Sequence, residues 1–215
     1  MLGRQAGANR GFDRRMSNHA LTHEPQLRMY RPGLYDLPPL DLPAGYVLRH
    51  YRPGDDAGLS EVFRDAFGWE DMDFCRFFSR ISGFMPARSL LIAHGDEIVA
   101  NALLLYEPNI PAARRSGTAF LHWVASKSSH AGKKLGYFVS LAVLHRMLHE
   151  GYRAAGLGTD DARLPAIKTY LNLGFTPRLV HENQPDRWRK IFDALAMPEL
   201  KDQFADLLDG PIYPF

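Results

Sequence analysis

Along residues 118–151 an apolar run at 120–125 gives way to a polar, glycine-containing loop and then to a helical repeat. The β-formers of the run predict a buried strand. From Leu135 the apolar residues recur at Phe138, Val139, Ala142 and Val143, and Leu141, Leu144 and Leu148 form a second stripe. That pattern predicts a largely buried helix. Upstream, alternation over 46–51 predicts a strand, followed by a turn at Arg52, Pro53 and Gly54. Asp55 and Asp56 then open a helix that runs to about residue 67, with Val62, Phe63, Ala66 and Phe67 inward and Gly68 as its stop. Phe74, Phe77, Phe78 and Ile81 predict a second helix over 71–81, beside Trp69. Strands at 89–93 and 97–106 flank a tight His94-Gly95-Asp96 hairpin. Downstream, a strand at 154–158 is separated from the first by a helix-length crossover, which makes the two parallel. A Pro-started helix from Pro165 stops at Gly174, a strand at 175–181 follows, and helices at 185–197 and 198–208 close the pattern.

The first residues do not share this organisation. Residues 1–22 are polar, without periodicity, and read as a mobile arm carrying Arg4, Arg10, Arg14 and Arg15. Residues 23–43 are proline-rich yet hold Leu27, Met29, Tyr30, Tyr35, Leu37 and Leu40, so they are expected to lie against the domain as an extended strap. Residues 44–215 form one α/β domain.

Composition narrows the picture modestly. The chain has 215 residues and a formal charge of +2, too weak a field to argue for nucleic acid. Its single cysteine, Cys75, cannot form an internal disulfide and points to a reducing compartment. The longest apolar helical stretch is interrupted by His145 and Arg146, so no membrane span is expected and the location is read as cytoplasmic.

The loop before the long helix carries the chemistry. A helix start leaves N–H groups unpaired and partly positive. Gly132 lets backbone approach a ligand, and Lys133 and Lys134 add cations, which together suit a pyrophosphate. About two dozen residues on comes a second motif. Strand, glycine loop, helix, strand and a helix ending Tyr-x-x-x-Gly-Phe resemble the GNAT (GCN5-related N-acetyltransferase) family over roughly residues 46–181. The family's loop usually reads Arg/Gln-x-x-Gly-x-Gly/Ala, and the segment here is Ala131-Gly132-Lys133-Lys134-Leu135-Gly136. Ala131 stands at the arginine or glutamine position and Lys134 at a glycine position. The second motif, Asn-x-x-Ala-Ile-x-x-Tyr-x-x-x-Gly-Phe in the family, is kept at Ala166, Ile167, Tyr170, Gly174 and Phe175, with Arg163 where the family has asparagine.

The resemblance implies a mixed central sheet with helices on both faces and acetyl-CoA as co-substrate, without a metal. Direct N-acetyl transfer to an amine, most simply a small molecule, would follow. It implies that Ala131, Gly132, Lys133, Lys134, Leu135 and Gly136 meet the pyrophosphate and that Arg163 replaces the asparagine near the cofactor. Backbone N–H groups at Val124 and Ala125 would orient pantetheine and polarise the carbonyl. Tyr170 matches the family's tyrosine and would protonate the leaving thiolate; its other reading is an aromatic that packs its helix on the sheet. His122, on the central strand, is the candidate base or water-holding group, though a lone histidine in an apolar strand is more often a hydrogen-bonded core residue. Asp160 and Asp161 lie near the same strands and also suit a helix cap. His145 and His149 sit i, i+4 without a third ligand. Two other classes stay open: a GNAT-fold module that binds acyl-CoA or another phosphate ligand without turnover, and an interaction protein that uses the arm and strap. The oligomeric state is undetermined, a homodimer among the options.

Overall fold

The computed structural model describes residues 24–81, 83–106 and 117–213. The expected arm at 1–22 lies outside them. Among the described residues seven strands form one mixed sheet in the order β2-β3-β4-β5-β6-β1-β7. In chain order these are β1 (Leu27–Arg31), β2 (Tyr46–His50), β3 (Ser89–His94), β4 (Glu97–Leu105), β5 (Thr118–Ser126), β6 (Ala154–Thr159) and β7 (Thr176–Arg178). Among the described residues the helices are α1 (Asp56–Phe67), α2 (Phe74–Phe78), α3 (Leu135–His149), α4 (Leu164–Asn172), α5 (Gln184–Ala194), α6 (Glu199–Gln203) and α7 (Ala205–Leu208).

Alternation along the central strands sends side chains to two separate cores. Leu90, Ile92, Ala102, Leu104 and Leu121 meet Val139, Val143 and Met147 of α3 on one face. Leu91, Ala93, Leu103 and Ala125 meet Leu59, Val62 and Phe63 of α1 and Phe74 and Phe78 of α2 on the other. Phe63 is fully buried among the rings of Phe67, Trp69, Phe74 and Phe78. Removing such a side chain from water stabilises the fold by roughly 1.5–3 kcal/mol.

Local signals placed several ends closely. Gly68 adopts a left-handed φ of 68° and its N–H returns to the Arg64 carbonyl, closing α1 where the glycine predicted. The second helix is much shorter than 71–81. Asp73 caps α2 by accepting from the Arg76 N–H, so residues before it are turn, and the helix gives way at Ser79. The strand expected over 175–181 shrinks to Thr176–Arg178, and the last helix divides at Phe204 into α6 and α7.

The proline-rich strap differs most. Leu27–Arg31 is a full strand inside the sheet, antiparallel to both β6 and β7. Leu27 and Met29 point into the α3-side core, and both are buried. Arg31 reaches further, donating to the Leu173 carbonyl at the end of α4 and pairing with Asp36.

The parallel pair β5–β6 is brief. It is in register only at Thr118↔Ala154, Ala119↔Ala155 and Phe120↔Gly156, after which the strands part.

Candidate functional site

The parting of β5 and β6 opens a cleft at their carboxyl ends, the position where open α/β sheets bind ligands. A bulge lies on the β5 side. Asn101 pairs with Ala125 and Leu103 with His122, so Trp123 and Val124 both stand opposite Ala102. Trp123 takes φ 46°, a left-handed conformation costly for an aromatic residue. Its ring is held edge-on by Phe77 and Phe78, which supports the backbone there. A bulge of this kind kinks the strand and interrupts its ladder. Val124 is half-buried at this kink, whereas Ala125 is buried beneath α1 and α2.

Beyond β5 the chain makes a short 3₁₀ turn at Ser128–His130 and enters the loop. Its approach is pinned on both sides. Asp65 of α1 accepts from the Ser128 N–H at 2.5 Å and from its hydroxyl at 2.9 Å. Lys127 pairs with Glu61 and Glu97, and His130 hydrogen-bonds Tyr46 at 2.8 Å. The Lys127 cation holds the Glu97 carboxyl below its ordinary range, as hydrogen-bonding partner and as charge, with His130 adding to it.

Between these anchors and the helix, Ala131, Gly132, Lys133 and Lys134 are exposed. Gly132 takes φ 78°, and nothing lies within 4 Å of where a Cβ would be. Lys134 also takes a left-handed φ, 55°, immediately before α3. The first inward-pointing bonds of the helix run from Tyr137 and Phe138 N–H to the Lys134 carbonyl. The N–H groups of Gly132, Lys133, Lys134, Leu135 and Gly136 therefore have no partner among the described residues. Leu135 is buried and anchors the helix start, and Gly136 lies against Val124 across the cleft mouth.

On the β6 side, α4 carries Tyr170 into the cluster beneath the cleft. Tyr170 is 6% exposed, packs against Phe175, and its hydroxyl makes no hydrogen bond among the described residues. Burial pushes its phenol up to about 12, and the Arg163 charge opposes part of that. Arg163 precedes α4 and lays its guanidinium 4.6 Å over the Phe67 ring at the end of α1. Phe67 in turn stacks on Trp69 at 4.6 Å. His122 is half-buried on β5, 5.1 Å from the Trp123 ring and 6.2 Å from Phe120. Asp161 is taken by Arg187 at 2.6 Å, and Asp160 accepts from Gln26 at 3.3 Å, so neither caps α4.

Of the expected site residues, Val124 meets the loop 131–136 at Gly136, His122 lies two residues earlier on β5, Tyr170 sits on α4 within the α3-side core, and Arg163 directly precedes α4. What the sequence did not reveal is the Trp123 bulge and the Arg163–Phe67–Trp69 stack, both products of tertiary packing. Among the described residues no group of three or more histidine, cysteine or acidic side chains is placed to hold a metal, and no helix is long and apolar enough to cross a membrane.

Comparisons with known proteins bear on the family and the fold. The model of the Acetyltransferase (GNAT) family matches residues 56–175. A mycothiol acetyltransferase from Nocardia farcinica is 29% identical over 149 residues, 66% of this chain and 48% of that protein. One from Mycobacteroides abscessus is 27% identical over 162 residues, 72% of this chain and 53% of that protein. The chain spans about half the length of these curated relatives. Among solved structures, a GCN5-related N-acetyltransferase from Sphaerobacter thermophilus superposes with a TM-score of 0.56 at 22% identity, covering 72% of this chain and 50% of that one. That likeness concerns the fold.

Proposed function

The chain belongs to the Acetyltransferase (GNAT) family, and from that premise we propose that it transfers an acetyl group directly from acetyl-CoA to the amine of a small acceptor. The observation that carries this reading is the row of N–H groups from Gly132 to Gly136, without a partner among the described residues, at the start of a fifteen-residue helix. Such an array, with the helix dipole behind it and Lys133 and Lys134 beside it, favours a doubly charged pyrophosphate. The open space above Gly132 fits the group, since backbone can approach it without a side chain intervening.

Acetyl-CoA supplies the acyl thioester; the chain supplies position and protons. Backbone around the bulge at Trp123 and Val124, released from the ladder, is suited to orient the pantetheine arm and polarise the carbonyl. Ala125 contributes through its backbone, because its side chain belongs to the core. Tyr170 keeps its proton at neutral pH, as burial raises its phenol, and can give it to the departing sulfur. The Arg163 charge, which opposes part of the rise at the Tyr170 phenol, would also favour negative charge that develops on sulfur. His122 holds or accepts the proton that the acceptor nitrogen loses, directly or through water.

The test is thiol release from acetyl-CoA over a panel of amines, comparing the wild type with Tyr170→Phe. Turnover that falls about 100-fold in kcat, with KM changed little, supports the donor role. Binding of acetyl-CoA without turnover of any amine would leave the non-catalytic binding module as the better account. The relatives from Nocardia farcinica and Mycobacteroides abscessus are mycothiol acetyltransferases, so compounds related to mycothiol belong in the panel alongside simple amines.

A further inference from the structure

The contact between Arg163 and Phe67 joins two parts of the molecule that the sheet otherwise separates. Helix α4 sets Ile167, Tyr170 and Leu173 into the core on the α3 side. Phe67 and Trp69 pack instead against the core on the α1 and α2 side. Arg163 follows the end of β6 and directly precedes α4, past the point where β5 and β6 part, and from there its guanidinium reaches the Phe67 ring at 4.6 Å.

The ring is what holds this cation. The Arg163 side chain makes no hydrogen bond or ion pair among the described residues, and the acids just before it are turned elsewhere, Asp160 to Gln26 and Asp161 to Arg187. A guanidinium is planar and weakly hydrated, so it lies well on an aromatic face, where the ring quadrupole attracts it. Phe67 is itself fixed. It is the last residue of α1, stacks on Trp69 at 4.6 Å and 25°, and meets Phe63 at 5.4 Å. The left-handed turn at Gly68 separates the two stacked rings in sequence. Without the Phe67 ring, a long and flexible side chain would lose its one defined contact.

Arg163 and Tyr170 are seven residues apart, two turns along one face of α4. In the transfer the C–S bond breaks and its electron pair goes to sulfur. The Tyr170 proton then passes to that sulfur and leaves the phenol oxygen negative, until the proton lost by the acceptor nitrogen is returned through water. A cation held in one place favours both anionic stages, whereas a wandering one is screened by solvent.

We propose that Phe67 is a positioning residue for acetyl transfer: backed by Trp69, its ring holds the Arg163 cation where it serves Tyr170. This rests on the acetyl-transfer reading and deepens it, giving the end of α1 a part in the reaction.

The experiment is a double-substitution cycle on the full chain, read in steady-state kinetics and in urea unfolding. Phe67→Leu should lower kcat about 10-fold with KM for acetyl-CoA changed less than about 2-fold. Phe67→Tyr keeps the ring face and should retain most of the rate. In the Arg163→Gln background Phe67→Leu should lower kcat no further, because the cation it positions is gone. Unfolding of the wild type, both single variants and the double variant should show the pair coupled by about 2- to 5-fold in the unfolding equilibrium constant. Should Phe67→Leu fail to fold, Arg163→Lys carries the same test, since it keeps the charge and loses the planar group that lies on the ring. A kcat that falls in Arg163→Lys supports the proposal, and an unchanged one overturns it. Unchanged kcat in Phe67→Leu, a full second loss in the Arg163→Gln background, an equal loss in Phe67→Tyr, or uncoupled unfolding each overturns it as well. A wild type that turns over no amine overturns acetyl transfer itself; turnover indifferent to Phe67 overturns only the positioning role.

Discussion

Lys134 occupies the loop position where the family's pattern has glycine, and it takes the left-handed conformation a glycine would take. The backbone path is therefore preserved at a steric cost of about 1 kcal/mol for an L-residue. Lys134→Gly should relieve that strain, offset in part by the greater freedom of glycine in the unfolded chain. A gain of about 0.5 kcal/mol in urea unfolding is the expected outcome; a loss would mean that the lysine side chain contributes more than its conformation costs. Tyr170 offers a second residue-scale check. Its phenol is raised from 10 to about 12 by burial, so the folded state keeps the proton after the unfolded chain has lost it. The associated stability is fully present below pH 10 and is lost as pH rises toward 12, by about 3 kcal/mol. Tyr170→Phe should flatten this alkaline loss in denaturant titrations between pH 9 and 12. An unchanged slope would show that the phenol titrates normally.

At the scale of elements, β1 holds the cleft's far wall. Arg31 donates to the Leu173 carbonyl at 2.6 Å and so satisfies the end of α4, the helix that carries Tyr170. Arg31→Leu strands that carbonyl and should cost about 1–3 kcal/mol in chemical denaturation. A change under about 0.5 kcal/mol would mean that α4 is held by its apolar face alone. This strand was the least legible part of the sequence. Pro25 and Pro32 bracket it, and nothing local says that Leu27–Arg31 inserts between β6 and β7, since that pairing is set by residues more than a hundred positions away. Features with local causes were readable: Gly68 ends α1, the His94-Gly95-Asp96 turn joins β3 and β4, and the crossover length made β5 and β6 parallel. The Trp123 bulge was hidden for the same reason as β1. An aromatic at positive φ is tolerated because Phe77 and Phe78 hold it, and those contacts are tertiary.

For the whole molecule, the two faces of the sheet divide the work. Helix α3 and its core fix the loop 131–136 over one side, while α1 and α2 shape the other. The approach to the loop is tied to α1 through Asp65 and Glu61, so the loop and α1 are mechanically joined. Everything proposed for the chemistry depends on the loop receiving acetyl-CoA. The direct measurement is calorimetric titration of acetyl-CoA into the wild type and Gly132→Glu. The variant places a bulky anion at the open position, on a residue whose left-handed φ also disfavours it. Circular dichroism of both proteins checks that the fold is retained. Micromolar binding by the wild type, lost by at least 100-fold in the variant, is the predicted result. A folded wild type that does not bind, or a folded variant that binds equally well, would contradict the account.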